Sequence, residues 1–163
     1  MSLSHTMYET ISPPNIIHIT SNISITEKQM KLTRDLLKKE NVCYIVAILP
    51  SENDFLKLND SIKDFPYTVI EYDDKHEATI NKEIFNDCGS FINKSDKSSN
   101  ILVLCNNGYQ RSIPFIVQYL IKFHPIEYPT IEKALSLIFP LIDKSNYLDI
   151  LELTVDNVRI LLE

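Results

Sequence analysis

Two short apolar runs constrain the fold of this chain more than any other feature. Cys43-Tyr-Ile-Val-Ala-Ile-Leu49 and Ile101-Leu-Val-Leu104 are continuous rather than alternating, and partly β-branched. A strand with one wet face alternates apolar and polar side chains. A strand without polar positions is covered on both faces, as strands inside parallel sheets are. Pro50 closes the first run, because proline cannot continue a central ladder. Tyr67-Thr-Val-Ile70 reads as a third strand, followed by a charged loop from Glu71 to Ala78.

Helical patterns lie between these strands. Ser24-Ile-Thr-Glu27 has the form of a capping box and predicts a helix to about Glu40, with Met30, Thr33, Leu36 and Leu37 on one face. Ser51 to Pro66 is polar, with room for a short helix around Phe55. Thr79 to Asn93 is amphipathic, its apolar face formed by Ile80, Ile84, Cys88, Phe91 and Ile92. A helix is expected from Ser112 to Phe123, with Pro114 in the first turn where a missing N–H does no harm. Thr130 is a good N-cap for another helix to about Phe139, and a last one is expected from Asn146 to Leu162. Helices alternating with two-faced strands define an α/β fold of three layers, a mainly parallel central sheet flanked by helices. The 163 residues suit one domain. It is assigned to residues 15–163, with 1–14 as an N-terminal extension.

Charge and cysteine usage narrow the function. Twenty-two acidic against 16 basic residues give a net charge of −6, and no Lys/Arg run exists. A nucleic-acid backbone is therefore not an expected partner. No apolar run is long enough to cross a bilayer, and the first residues lack the charged-then-apolar order of a secretory signal, so neither membrane nor secretion is expected. Cys43, Cys88 and Cys105 are too widely spaced for a disulfide framework or a zinc site. Cys43 and Cys88 are expected to pack as small hydrophobes. His5, His18, His76 and His124 form no ligand pattern, so no metal is expected. A reducing cytoplasmic compartment, with nuclear entry open, is the expected setting.

One segment carries chemistry. In Ile101-Leu-Val-Leu-Cys-Asn-Asn-Gly-Tyr-Gln-Arg-Ser112 a cysteine ends a buried strand and an arginine precedes a helix start. Unpaired N–H groups and the helix dipole make such a terminus an anion site. Gly108 permits the positive φ that turns loop N–H groups inward. Arg111 offers a planar fork for two phosphate oxygens. A thiol placed at a helix N-terminus loses its proton more readily than a free one, giving a nucleophile that faces the bound anion.

The segment resembles the signature of the dual-specificity protein phosphatases, His-Cys-x5-Arg-Ser/Thr with Gly three residues after the cysteine. The likeness extends, more weakly, from about Ile17 to the C-terminus. It implies a protein tyrosine phosphatase-like fold and hydrolysis of phosphotyrosine, phosphoserine or phosphothreonine in a phosphoprotein, through a phosphocysteine intermediate and without a cofactor. It implies Cys105 as nucleophile, Arg111 as phosphate clamp, and Ser112 as the hydroxyl that stabilises the departing thiolate. Asn106, Asn107, Gly108, Tyr109 and Gln110 would line the substrate site with Arg111. The family's general acid is an Asp about thirty residues upstream on a loop after a strand. Asp74 fits that place, with Asp73 as the alternative; they stand 31 and 32 residues before Cys105.

Two positions depart from the family pattern. Leu104 stands where the family has His, and Asn107 where a small residue is usual. Loss of the histidine implies slower turnover. A phosphoprotein-binding pseudophosphatase is therefore the alternative reading, with another Cys-x5-Arg chemistry, such as a rhodanese-like sulfurtransferase, behind it. Oligomeric state is left open.

Overall fold

The computed structural model describes residues 16–26, 31–71, 82–95, 98, 100–105, 111–142, 155, 158 and 159. Their strands are β1 (Ile16–His18), β2 (Ile23–Thr26), β3 (Val42–Leu49), β4 (Tyr67–Glu71) and β5 (Asn100–Cys105). They form one sheet in the order β1-β2-β5-β3-β4. β2, β5, β3 and β4 run parallel, and β1 is an antiparallel edge on β2. The helices are α1 (Arg34–Lys39), α2 (Glu52–Leu58), α3 (Lys82–Lys94), α4 (Ser112–Phe123) and α5 (Ile131–Ile138).

The two continuous apolar runs are the neighbouring central strands, and they divide their side chains between two cores. Val46, Ile48, Ile101, Val103 and Cys105 join Phe85 and Ile92 of α3 and most of α4. Ile45, Ala47, Leu49, Leu102 and Leu104 join Leu37 of α1 and Phe55 of α2. A fully buried aliphatic side chain contributes about 1.5–3 kcal/mol, so this double burial ranks among the fold's main stabilising terms. α4 is apolar almost all round, from Ile113 to Leu120, and is buried accordingly. Its observed ends, Ser112 and Phe123, match the expected ones. Thr130 caps α5 as expected, its hydroxyl accepting from the Lys133 N–H at 3.1 Å.

The structure corrects three expectations. First, Ser24-Ile-Thr is not the start of a helix. Ile23–Thr26 is β2, fully buried, pairing Ile23 with Ile101 and Ile25 with Val103. Burying two isoleucines against β5 outweighs a local capping pattern. The helix that follows is shorter, with Thr33 as its N-cap accepting from the Leu36 N–H; Glu27 and Met30 lie outside the described residues. Second, Cys43 is exposed rather than packed. A register irregularity between Val42 and Tyr44 turns it out of the ladder, and β4 pairing begins only at Ile45. Third, the buried row of α3 is Phe85, Gly89 and Ile92, while Ile84 and Phe91 are 41% and 47% exposed. The expected final helix lies outside the described residues except for Val155, Val158 and Arg159, which are helical; Val158 is buried in the α4-side core.

Gly89 explains the rotation of α3. A Cβ at Gly89 would lie 2.5 Å from Cε2 of Phe123, so a larger residue there would require the Phe123 ring to shift. Gly89→Ala gains roughly 1 kcal/mol of helix propensity but overpacks the contact by about 1–3 kcal/mol. Urea denaturation is expected to show a net loss of about 1 kcal/mol, regained when Phe123→Leu is added. An unchanged midpoint for Gly89→Ala would refute the contact.

Burial pushes the Tyr119 phenol, on α4, up to about 12 from 10.0. Its raised folded-state value means that stability is complete below pH 10 and is lost as pH rises towards 12. Absorbance titration at 295 nm should show a component ionising near pH 12 that Tyr119→Phe removes.

Candidate active site

The strand-to-helix junction sits at the carboxyl end of β5, between β2 and β3. Open α/β sheets place ligands at this end. Cys105 is the last residue of β5, opposite Ile48 of β3, and is fully buried on the α4 side of the sheet. Ser112 opens α4 and is also fully buried. The Cys105 thiol donates to Ser112 Oγ at 3.6 Å, joining residues seven apart in sequence. The chain therefore leaves the sheet at the sulfur and returns to it at the hydroxyl.

Arg111 is half-buried at the N-cap position of α4, with φ −105° and ψ −33°. A guanidinium has no acceptor, so it cannot cap the helix as Ser or Asp would. The first turn carries no acidic side chain either. Pro114 lacks an N–H, which leaves Ser112 and Ile113 as the first-turn backbone donors of the helix proper. Positive helix-end potential and an arginine thus adjoin the thiol's partner in sequence. This arrangement can hold a tetrahedral anion near a nucleophilic sulfur.

The structure brings together Cys105 and Ser112, with Arg111 adjoining. Asn106, Asn107, Gly108, Tyr109 and Gln110, and both acid candidates, Asp73 and Asp74, lie outside the described residues. The strand leading to the acid candidates is nonetheless well anchored. Glu71 ends β4, and its carboxylate accepts the Glu52 backbone N–H at 3.1 Å. The Tyr67 hydroxyl donates to Glu52 Oε1 at 2.7 Å. That bond, with burial and the Glu52 charge behind it, pushes the Tyr67 phenol up. Sequence reasoning missed this tie between β4 and α2; its only signal was a carboxylate at a strand end and another at a helix start.

Leu104 occupies the opposite face of β5 from Cys105. It is fully buried in the cluster that holds Leu49, Phe55 and Ile62. Leu104→His would place an imidazole in an apolar environment, at a cost of about 1–3 kcal/mol if no partner is found. A lowered urea midpoint is expected; an unchanged one would mean that the cluster provides a partner.

Comparison with known proteins agrees with this geometry. Dual specificity protein phosphatase 1B of Arabidopsis thaliana is 33% identical over 110 residues, covering 64% of this chain and 58% of that protein. Dual specificity protein phosphatase 1 of the same plant is 29% identical over 96 residues, covering 56% of this chain and 43% of that protein. The chain thus matches about half the length of these curated relatives. No family model matches it. Among solved structures, PTPMT1 superposes with a TM-score of 0.66 at 18% identity, covering 91% of this chain and 96% of that one. Human DUSP28 superposes at 0.62 with 11% identity, covering 93% and 98%. The mixed sheet flanked by helices is the fold shared with these phosphatase structures. In sequence, the chain is similar to the dual specificity protein phosphatases over 110 residues.

Proposed function

We propose that this chain is a cysteine-dependent protein phosphatase that hydrolyses phosphotyrosine, phosphoserine or phosphothreonine. The observation that carries the reading is the 3.6 Å contact between Cys105 and Ser112 at the start of an anion-binding helix. Arg111 and the loop and helix N–H groups hold the non-bridging phosphate oxygens. The Cys105 thiolate attacks phosphorus and the bond to the leaving oxygen breaks. Asp74, with Asp73 as alternative, gives that oxygen its proton. Water then attacks the phosphocysteine and returns a proton to the same carboxylate. Sulfur departs as thiolate, and the Ser112 hydroxyl, an acceptor in the resting contact, turns to donate to it. No step calls for a cofactor.

Asn106, Asn107, Gly108, Tyr109 and Gln110 bring no positive charge to the signature loop. A substrate with several phosphates would be met by more cations than Arg111 alone, so a phosphoprotein fits better than a phosphoinositide. One structural neighbour, PTPMT1, has been crystallised with PI(5)P. The uncharged loop argues against that substrate here. An exposed Cys43 thiol and a nucleophilic Cys105 both suit the reducing cytoplasm.

Leu104 supports a second reading, a phosphoprotein-binding relative without turnover, because it leaves no polar side chain beneath the loop on that face of β5. One assay series separates the two. With an aryl phosphate, wild type is expected to turn over, and Cys105→Ser to fall to background. Asp74→Asn should lose about 10²–10⁴-fold, the usual share of a general acid; if Asp73→Asn takes that loss instead, the acid is Asp73. Equal rates in wild type and Cys105→Ser would end the phosphatase reading. Background turnover with phosphopeptide binding that Arg111→Ala abolishes would establish the second.

A further inference from the structure

A helix lying on a sheet needs one apolar row, and α3 has two. Phe85, Gly89 and Ile92 face inward. Ile84, Cys88 and Phe91 recur at helical spacing one residue earlier and stay partly open, Ile84 at 41% and Phe91 at 47% exposure. This outer row borders a cavity of about 320 Å³ whose other side is Tyr44, Val46 and Thr68 of β3 and β4. The Tyr44 ring meets Phe91 at 4.6 Å between centroids, so the groove has an aromatic end. Large apolar side chains left on a surface in one contiguous groove mark a binding site more often than scattered ones do.

The neighbouring strand supplies a backbone template. Among the described residues β4 pairs only with β3, and it forms the outer edge of the sheet. An open edge accepts an added strand through main-chain hydrogen bonds. Alternate side chains of such a strand would share the face of Thr68 and drop beside Ile84 and Cys88.

Charge selects the occupant. Among the described residues, Asp87 is the one charged side chain lining the groove. It lies next to Cys88, whose thiol is pushed up by burial and by the Asp87 charge. The occupant should therefore bring a cation and no carboxylate. A second copy of this chain, with its own net charge of −6, is a poorer match for a groove lined by Asp87 than a basic segment is. We infer that the groove between α3 and β4 docks an extended segment of a partner protein, apolar at alternate positions and carrying a Lys or Arg beside them. This site is separate from the thiol at the end of β5 and does not depend on turnover there.

The test is selection of a phage-displayed library of random nine-residue peptides on the full chain, followed by affinity measurement with synthetic peptides. Enriched sequences are expected to alternate apolar residues and to carry Lys or Arg. Phe91→Ser should weaken them at least tenfold, Ile84→Ser similarly, and Asp87→Asn about threefold. N-methylation of alternate peptide amides should abolish binding. Thermal melts of the variants check that the fold is retained, and Ile84 and Phe91 are exposed enough for either substitution to be tolerated. The proposal fails if no peptide is enriched, if the enriched peptides are acidic, or if they bind folded Phe91→Ser as tightly as wild type. It fails equally if sedimentation shows a dimer of this chain that Phe91→Ser dissolves, because the occupant would then be a second copy.

Discussion

Everything chemical in this molecule hangs from β5, a strand hydrogen-bonded on both sides and buried along its whole length. Its position between β2 and β3 leaves it no freedom to slide. A slip of one residue would exchange the two faces and drive Cys105 into the α1/α2 core. The same burial that stabilises the sheet therefore fixes the sulfur's height and direction. Because β5 ends opposite Ile48, with β3 continuing one residue further to Leu49, the chain leaves the sheet where a neighbouring strand still supports it.

α4 gives the second half of that support. A helix buried almost all round is held by packing and has little need of a cap. That freedom matters at its N-terminus, where Arg111 occupies the place that a capping Ser or Asp would normally fill. Burial from Ile113 to Leu120 compensates for the missing side-chain cap. Gly89 contributes at a distance, since its missing side chain lets α3 close on α4 near Phe123. That close approach also decides which row of α3 faces inward and so leaves the outer row beside β4 uncovered.

The parts legible in the sequence are those whose information is local. β3 and β5 announce themselves because two-sided burial removes every polar position, and α4 because its boundaries coincide with Arg111 and His124. The Cys105–Ser112 contact is legible for the same reason, because the two residues lie seven apart in sequence. β1 and β2 are not legible. Three or four residues are too few to display a period, and Ser24 and Thr26 put polar side chains on a buried face. The inner row of α3 is hidden because both of its rows satisfy helical spacing and only contact with α4 separates them. Between Asp73 and Asp74 the sequence offers only spacing as the ground for preferring Asp74, and both lie outside the described residues.

Leu104 and Cys105 show how far one strand can serve two ends. Consecutive side chains on β5 face opposite layers, so the residue before the nucleophile belongs to the α1/α2 core and not to the helix side where the anion would bind. A histidine at this place would need a polar partner inside that layer. Here leucine packs in the cluster of Leu49, Phe55 and Ile62, and that obligation vanishes. Leu104 adds apolar burial to that layer. The helix terminus and Arg111 are untouched by it, since both approach from the other face. On this chain, then, the helix terminus and Arg111 belong to the α4 layer, and the layer that holds Leu104 is a matter of packing.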